Sequence, residues 1–117
     1  MPKTVLITGA GTGFGRGAAV ALAARGHRVI ATVFHDDEVT ELSTAHPELT
    51  VAKLDVTNPD DVATIDQWEL DVLINNAALG QTGPLSRIPQ DLVRRVFETN
   101  VFGTLAVTQR VATQMRA

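Results

Sequence analysis

The sequence predicts an α/β fold: a doubly wound parallel sheet of about four strands, with helices on both faces. Three observations lead there. Apolar runs of strand length recur at Thr4–Thr8, Arg28–Phe34, Leu49–Leu54 and Asp71–Asn75. They are continuous rather than alternating, as expected of strands covered on both faces, and helical segments fall between them. The first run enters TVLITGAGTGFGRGAA, residues 4–19, which holds five of the chain's nine glycines.

Taken in order, the first strand ends at Thr8 and the glycine loop follows. The first helix begins inside that loop, runs through Ala18, Val20, Leu22 and Ala24, and meets Gly26, well placed as a left-handed cap. The second helix spans Asp36 to Ala45, with Val39 and Leu42 on one face, and stops before Pro47. Asn58-Pro59-Asp60-Asp61 opens a short third helix with a capping residue, a first-turn proline and two acids against the dipole. Trp68, ahead of the fourth strand, reads as a packing residue. After the loop NAALGQTGPLSRIPQ, a long helix is predicted from Asp91 to Arg116. Val93, Phe97, Val101, Thr104, Val107 and Val111 step by three and four along it, which predicts one buried stripe.

At 117 residues the chain is read as one domain, residues 1–117, long enough for a real core. A net charge of −3 gives no reason to expect a nucleic-acid or anionic-membrane surface. The absence of cysteine removes disulfide and thiolate chemistry and suits a cytoplasmic protein. No signal-peptide pattern and no run near the roughly 20 apolar residues of a membrane span occurs. His27, His35 and His46 lack metal-ligand spacing and read as surface or cap residues.

The glycine loop has a physical logic. A parallel strand delivers the chain to the sheet's carboxyl edge, where the next helix presents unpaired N–H groups and a positive dipole end. Glycines let the backbone turn with positive φ and admit a pyrophosphate without a Cβ in the way. The spacing is Thr8-Gly9-x-x-x-Gly13-x-Gly15, and no Gly-Lys-Ser/Thr follows to make a nucleoside-triphosphate loop.

With three later segments, this loop resembles the short-chain dehydrogenase/reductase family. LDVT at Leu54–Thr57 is similar to its adenine-contacting segment, NNAA at Asn75–Ala78 to its Asn-Asn-Ala-Gly motif, with Ala78 in place of glycine, and ETNVFG at Glu98–Gly103 to the segment carrying its active-site asparagine, here Asn100. The resemblance implies a Rossmann-like sheet in the order 3-2-1-4, incomplete relative to the family. It also implies hydride transfer between a nicotinamide dinucleotide, NAD or NADP, and an alcohol or carbonyl substrate. The expected cofactor contacts are Gly9, Thr12, Gly13, Phe14 and Gly15, then Asp36, then Asp55 and Val56, then Asn76, Ala77 and Ala78. On composition alone, a polar core residue that fixes helix register is the lesser alternative for Asn100.

In that family a serine, a tyrosine and a lysine beyond the asparagine segment do the chemistry, the tyrosinate as general acid/base and the lysine lowering its pKa. This chain has no tyrosine and no lysine after Lys53, and Ser86 precedes the long helix. The expectation is a truncated form, about the first half of such an enzyme, inactive alone. A non-catalytic dinucleotide-binding module and an inert structural fragment are the alternatives.

The family's NAD enzymes often carry an aspartate where the second strand ends, and its NADP enzymes an arginine. Here Val33-Phe34 is followed by His35-Asp36-Asp37-Glu38, with Glu41 one turn on and Arg16 the only nearby cation. These acids would repel a 2′-phosphate, and the balance leans to NAD. Asp36 and Asp37 are equally readable as caps of the second helix. The fourth strand, DVLIN, is left as an apolar edge, so a homo-oligomer through Asp71–Asn75 or the last helix is expected.

Overall fold

The computed structural model describes residues 1–117. Four parallel strands, β1 (Thr4–Ile7), β2 (Arg28–Val33), β3 (Thr50–Lys53) and β4 (Val72–Ile74), form one sheet in the order β3-β2-β1-β4. Register pairs Leu6 with Ile30 and with Leu73, and Ala31 with Val51. The helices are α1 (Gly13–Ala24), α2 (Asp36–Ala45), α3 (Pro59–Ala63), α4 (Gln90–Phe97) and α5 (Thr104–Arg116). A 3-10 turn, Thr64–Gln67, prolongs α3, and a π-helical turn, Glu98–Gly103, joins α4 to α5.

The continuous apolar runs are explained by two cores, one on each face of the sheet. Side chains alternate along a strand. Val5 and Ile7 of β1, with Val29, Ala31 and Val33 of β2, therefore pack under α1 and α2 with Ala19 and Leu42. Leu6 and Ile30 point the other way, onto Val62, Ile65, Trp68, Val107 and Val111. The central strands β1 and β2 are covered on both sides, while β3 and β4 are half-covered edges.

Local signals account for most boundaries. Gly26 takes φ +91° just past α1, and its N–H and that of His27 return to Ala23 and Leu22. Asn58 caps α3 by accepting from the N–H groups of Asp60 and Asp61. His27 accepts from Lys3 N–H, while His35 and His46 flank α2.

The expected single helix from Asp91 to Arg116 requires correction. Only the α5 part of its stripe is buried, at Val107 and Val111. Val93, Phe97 and Val101 remain 37%, 53% and 47% exposed. The π turn breaks the 3.6-residue period by its i→i+5 bonding, so the stripe counted from Val93 does not continue into α5. Contact with the core begins at Gly103, where a Cβ would stand 2.6 Å from Val56 Cγ2. α4 has no buried residue.

Candidate functional site

At the carboxyl edge of the sheet, two sequence motifs are joined by hydrogen bonds. Thr8, the residue after β1, is fully buried, and its Oγ1 accepts from the N–H groups of both Asn76 and Ala77, each at 3.0 Å. Asn76 Nδ2 returns a bond to the Gly9 carbonyl at 2.9 Å. The backbones are too close here for side chains: a Cβ on Gly9 would lie 2.8 Å from Ala77 Cα, and Gly9 itself takes φ +64°. Gly15 closes the packing from behind, since its Cβ would meet the Gly9 carbonyl at 2.6 Å and also the Asn76 amide.

The loop then opens. Gly13 turns at φ +59° with nothing within 4 Å of a Cβ built on it. Thr12 is the N-cap of α1, yet no side chain caps the helix and no acid lies in its first turn. Helices α2 and α3, by contrast, begin with Asp36, Asp37 and Glu38, and with Asp60 and Asp61. The first-turn N–H groups of α1 and its positive dipole end are thus left for an anion from outside the chain.

The third wall comes from the turn after β3. Asp55 Oδ1 accepts from Thr57 N–H at 2.9 Å and Thr57 Oγ1 at 2.7 Å. Asp61 Oδ2 accepts from Asp55 N–H at 2.9 Å and from Lys53 Nζ at 2.7 Å. Burial works against the Asp61 carboxylate, but these hydrogen bonds hold its pKa below the usual aspartate value. The hydrogen bond with Asp61 also raises the Lys53 pKa. The turn is therefore held by an ion pair.

Together these elements enclose a cleft of about 640 Å³. A larger groove of about 1300 Å³ runs along α5 to Thr4 and Asp71 at the amino ends of the strands. Open parallel sheets bind ligands outside their carboxyl ends, so the smaller cleft is the candidate site.

Of the sequence-predicted residues, Gly9, Thr12, Asp55, Val56, Asn76, Ala77 and Ala78 line this cleft. Gly13 and Gly15 shape its loop without lining it. Phe14 lies 93% exposed on α1, and Asp36 stands in the first turn of α2, both outside the lining. Asn100 is half-buried in the π turn, not on a fully buried stripe. Its carboxamide pairs with the backbone of Leu79, accepting from the N–H and donating to the carbonyl at 2.8 Å each. It thereby holds the loop beyond β4, and Leu79 itself lines the cleft.

Of the acids named after the second strand it is Glu38 that lines the cleft, and sequence reasoning did not single out Phe34, His35, Arg95, Glu98 and Thr99, which line it too. Glu98 and Thr99 belong to the recognised ETNVFG segment, which was the available signal. Arg95 adds a cation beyond Arg16. Arg16 itself is engaged, donating to both oxygens of Glu41 at 2.8 and 3.0 Å, which raises the arginine pKa and lowers that of the glutamate.

Comparison with known proteins agrees with this architecture. A family profile described as short chain dehydrogenase matches residues 3–117. Retinol dehydrogenase 8 of Bos taurus is 38% identical, the match covering 98% of this chain and 41% of that protein. A short-chain dehydrogenase from Streptomyces avermitilis superposes with TM-score 0.87 at 34% identity, over 98% of this chain and 45% of the other. The NADPH-bound carbonyl reductase from chicken fatty liver gives TM-score 0.83 at 26% identity, over 98% and 49%. The chain thus spans less than half the length of these relatives. By profile, sequence and fold, it belongs to the short-chain dehydrogenase/reductase family of oxidoreductases.

Proposed function

We propose that these 117 residues form the dinucleotide-binding half of an oxidoreductase that moves a hydride between NAD and an alcohol or carbonyl substrate. The observation that carries this reading is the open N-terminus of α1, left uncapped and free of acids behind glycines of positive φ. The loop from Gly9 to Gly15 would hold the pyrophosphate, and Asp55 and Val56 would face the adenosine end. Asn76, Ala77 and Ala78 would flank the nicotinamide end. When bound, the cofactor supplies the hydride acceptor or donor. What the chain supplies is a fixed cradle, locked by the Thr8–Asn76–Gly9 bonds before any ligand arrives, so little ordering remains to oppose binding.

The acids after β2 favour NAD, and Arg16 is neutralised by Glu41 instead of facing the cleft alone. No tyrosine is present among the 117 residues, so the family's general acid/base has no counterpart here, and the chain by itself should bind without turnover. The uncovered edge of β4 and the exposed Phe97, Val101, Phe102 and Leu105 favour self-association through that edge or the α4–α5 face. No helix is long and apolar enough to cross a membrane.

The test is calorimetric titration of NADH into the purified chain beside Gly13→Val, whose branched side chain is strained at φ +59°. Saturable binding that the variant loses is expected. Absence of binding by the wild-type chain would contradict the proposal, as would turnover of NADH by it with a carbonyl substrate.

A further inference from the structure

We propose that Asp61, a residue outside the cleft, positions the wall that meets the base of the dinucleotide. By doing so it sets the preference for adenine over a purine that lacks the exocyclic amino group. The inference rests on the reading of the cleft as a dinucleotide site with its adenosine end at Asp55 and Val56. Leu54, Asp55, Val56 and Thr57 are consecutive lining residues, and they leave the sheet from its edge strand. The ladder ends where Leu54 N–H donates to the Val33 carbonyl at 2.7 Å. Beyond that point β2 has ended and β3 has no neighbour on its other side. The Asp55 N–H therefore needs a partner from elsewhere.

Asp61 supplies it. As the third residue of α3, it stands where a capping-box side chain ordinarily turns back to the N–H of the cap residue. That N–H, of Asn58, donates instead to the Asp55 carbonyl at 3.0 Å. The Asp61 carboxylate reaches past it, and its Oδ2 accepts from Asp55 N–H at 2.9 Å. Lys53 Nζ donates to the same oxygen at 2.7 Å and fixes it from the end of β3. The Asp61 side chain is only 19% exposed, so it is packed as well as paired.

Asp55 is thereby held at its N–H by Asp61, at its carbonyl by Asn58, and at its Oδ1 by both donors of Thr57. Its Oδ2 is left without a bond inside the chain, on a residue that lines the cleft. A carboxylate oxygen so placed accepts from an exocyclic amino group and repels a carbonyl oxygen in the same position. Such a contact selects only while its direction is fixed, because a hydrogen bond weakens steeply as its angle closes. Neither Asp61 nor Lys53 lines the cleft, so their effect on a ligand passes through Asp55.

The experiment is calorimetric titration of NADH and of reduced nicotinamide hypoxanthine dinucleotide, with far-UV circular dichroism on each protein. The two ligands differ at the purine, an exocyclic amino group in one and a carbonyl in the other. The proteins are the wild type, Asp61→Ala, Asp61→Asn, Asp60→Ala and Asp55→Ala. The wild type is expected to bind the adenine form more tightly. Asp61→Ala should lower that ratio roughly fivefold or more, as loss of one hydrogen bond predicts, toward the value in Asp55→Ala. Asp61→Ser, whose hydroxyl is too short to reach the Asp55 N–H, carries the same expectation should the alanine variant fail to fold. Asp61→Asn keeps an oxygen for that N–H and should retain the ratio, although it loses the ion pair. Asp60→Ala removes an equal charge from the same turn of α3 without touching Asp55, and should retain it too. A merely structural Asp61 would lower stability and leave the ratio unmoved. That result, an equal fall in Asp60→Ala, or a wild type that binds both ligands equally overturns the assignment and leaves the dinucleotide reading standing. If neither ligand binds the wild type, the dinucleotide reading falls and this inference with it.

Discussion

Two glycines of α1, two residues apart, should respond to the same substitution with opposite signs. In Gly15→Ala the new methyl meets the Gly9 carbonyl at 2.6 Å and Ala10 Cα at 3.1 Å, and it presses on the Asn76 amide. Two of these obstacles are backbone and cannot swing aside. Forced overpacking of this kind costs about 1–3 kcal/mol. Disturbing the Asn76–Gly9 hydrogen bond adds about 1 kcal/mol. Alanine returns roughly 0.5–1 kcal/mol over glycine in a helix, leaving a net loss of about 2 kcal/mol. Gly17→Ala meets nothing within 4 Å and sits exposed, so only the favourable part applies, about 0.5–1 kcal/mol. With a urea m-value of about 1.5–2 kcal/mol/M, the midpoint should fall by about 1 M in the first variant and rise by about 0.3–0.5 M in the second. Urea unfolding followed by circular dichroism reads both. A Gly15→Ala protein as stable as wild type, or shifts of the same sign in the two variants, would refute the packing argument for the loop.

Thr8→Val keeps shape but orphans the N–H groups of Asn76 and Ala77, and should cost about 1–3 kcal/mol in the same assay, with Thr8→Ser near wild type. Asp61 has a lowered folded-state pKa, so its stabilisation is full above the unfolded aspartate value, about 4, and disappears as pH falls through the lower folded value. Asp61→Asn should therefore lower the urea midpoint at pH 7 and flatten its decline in acid; an unchanged acid slope would argue against the ion-paired turn. Asn100→Ala leaves the Leu79 backbone without its paired partner, and should speed amide exchange at Leu79 at least tenfold while leaving α1 protected, readable by hydrogen exchange. Sedimentation at rising concentration tests the open β4 edge: self-association is expected, and a monomer throughout would count against it.

What could be read from the sequence was what depends on neighbours along the chain. α2 has the expected limits, Asp36 to Ala45, because its acids, its apolar pair and the approaching Pro47 are all local signals. The sheet order follows the family resemblance, and the continuous runs reflect alternate residues serving two cores. The π turn was illegible, because it depends on Gly103 closing onto Val56, a contact between residues 47 positions apart. Glu38 was legible as one of the acids after the second strand, but not as the one that lines the cleft. Its place appears only when α2 brings it against Gly11, while in sequence it is the third of three acids. Phe14 sits between two glycines of the motif, but the helical turn carries it outward.

The most direct test of the account is to follow the backbone amides of the labelled chain by NMR while NAD is added. The cradle described here predicts shifts concentrated at Gly13–Gly15, Asp55–Val56 and Asn76–Ala78, with Leu70, Gln114 and the rest of the α5 groove unmoved. Shifts confined to that larger groove, or none at saturating NAD, would contradict it.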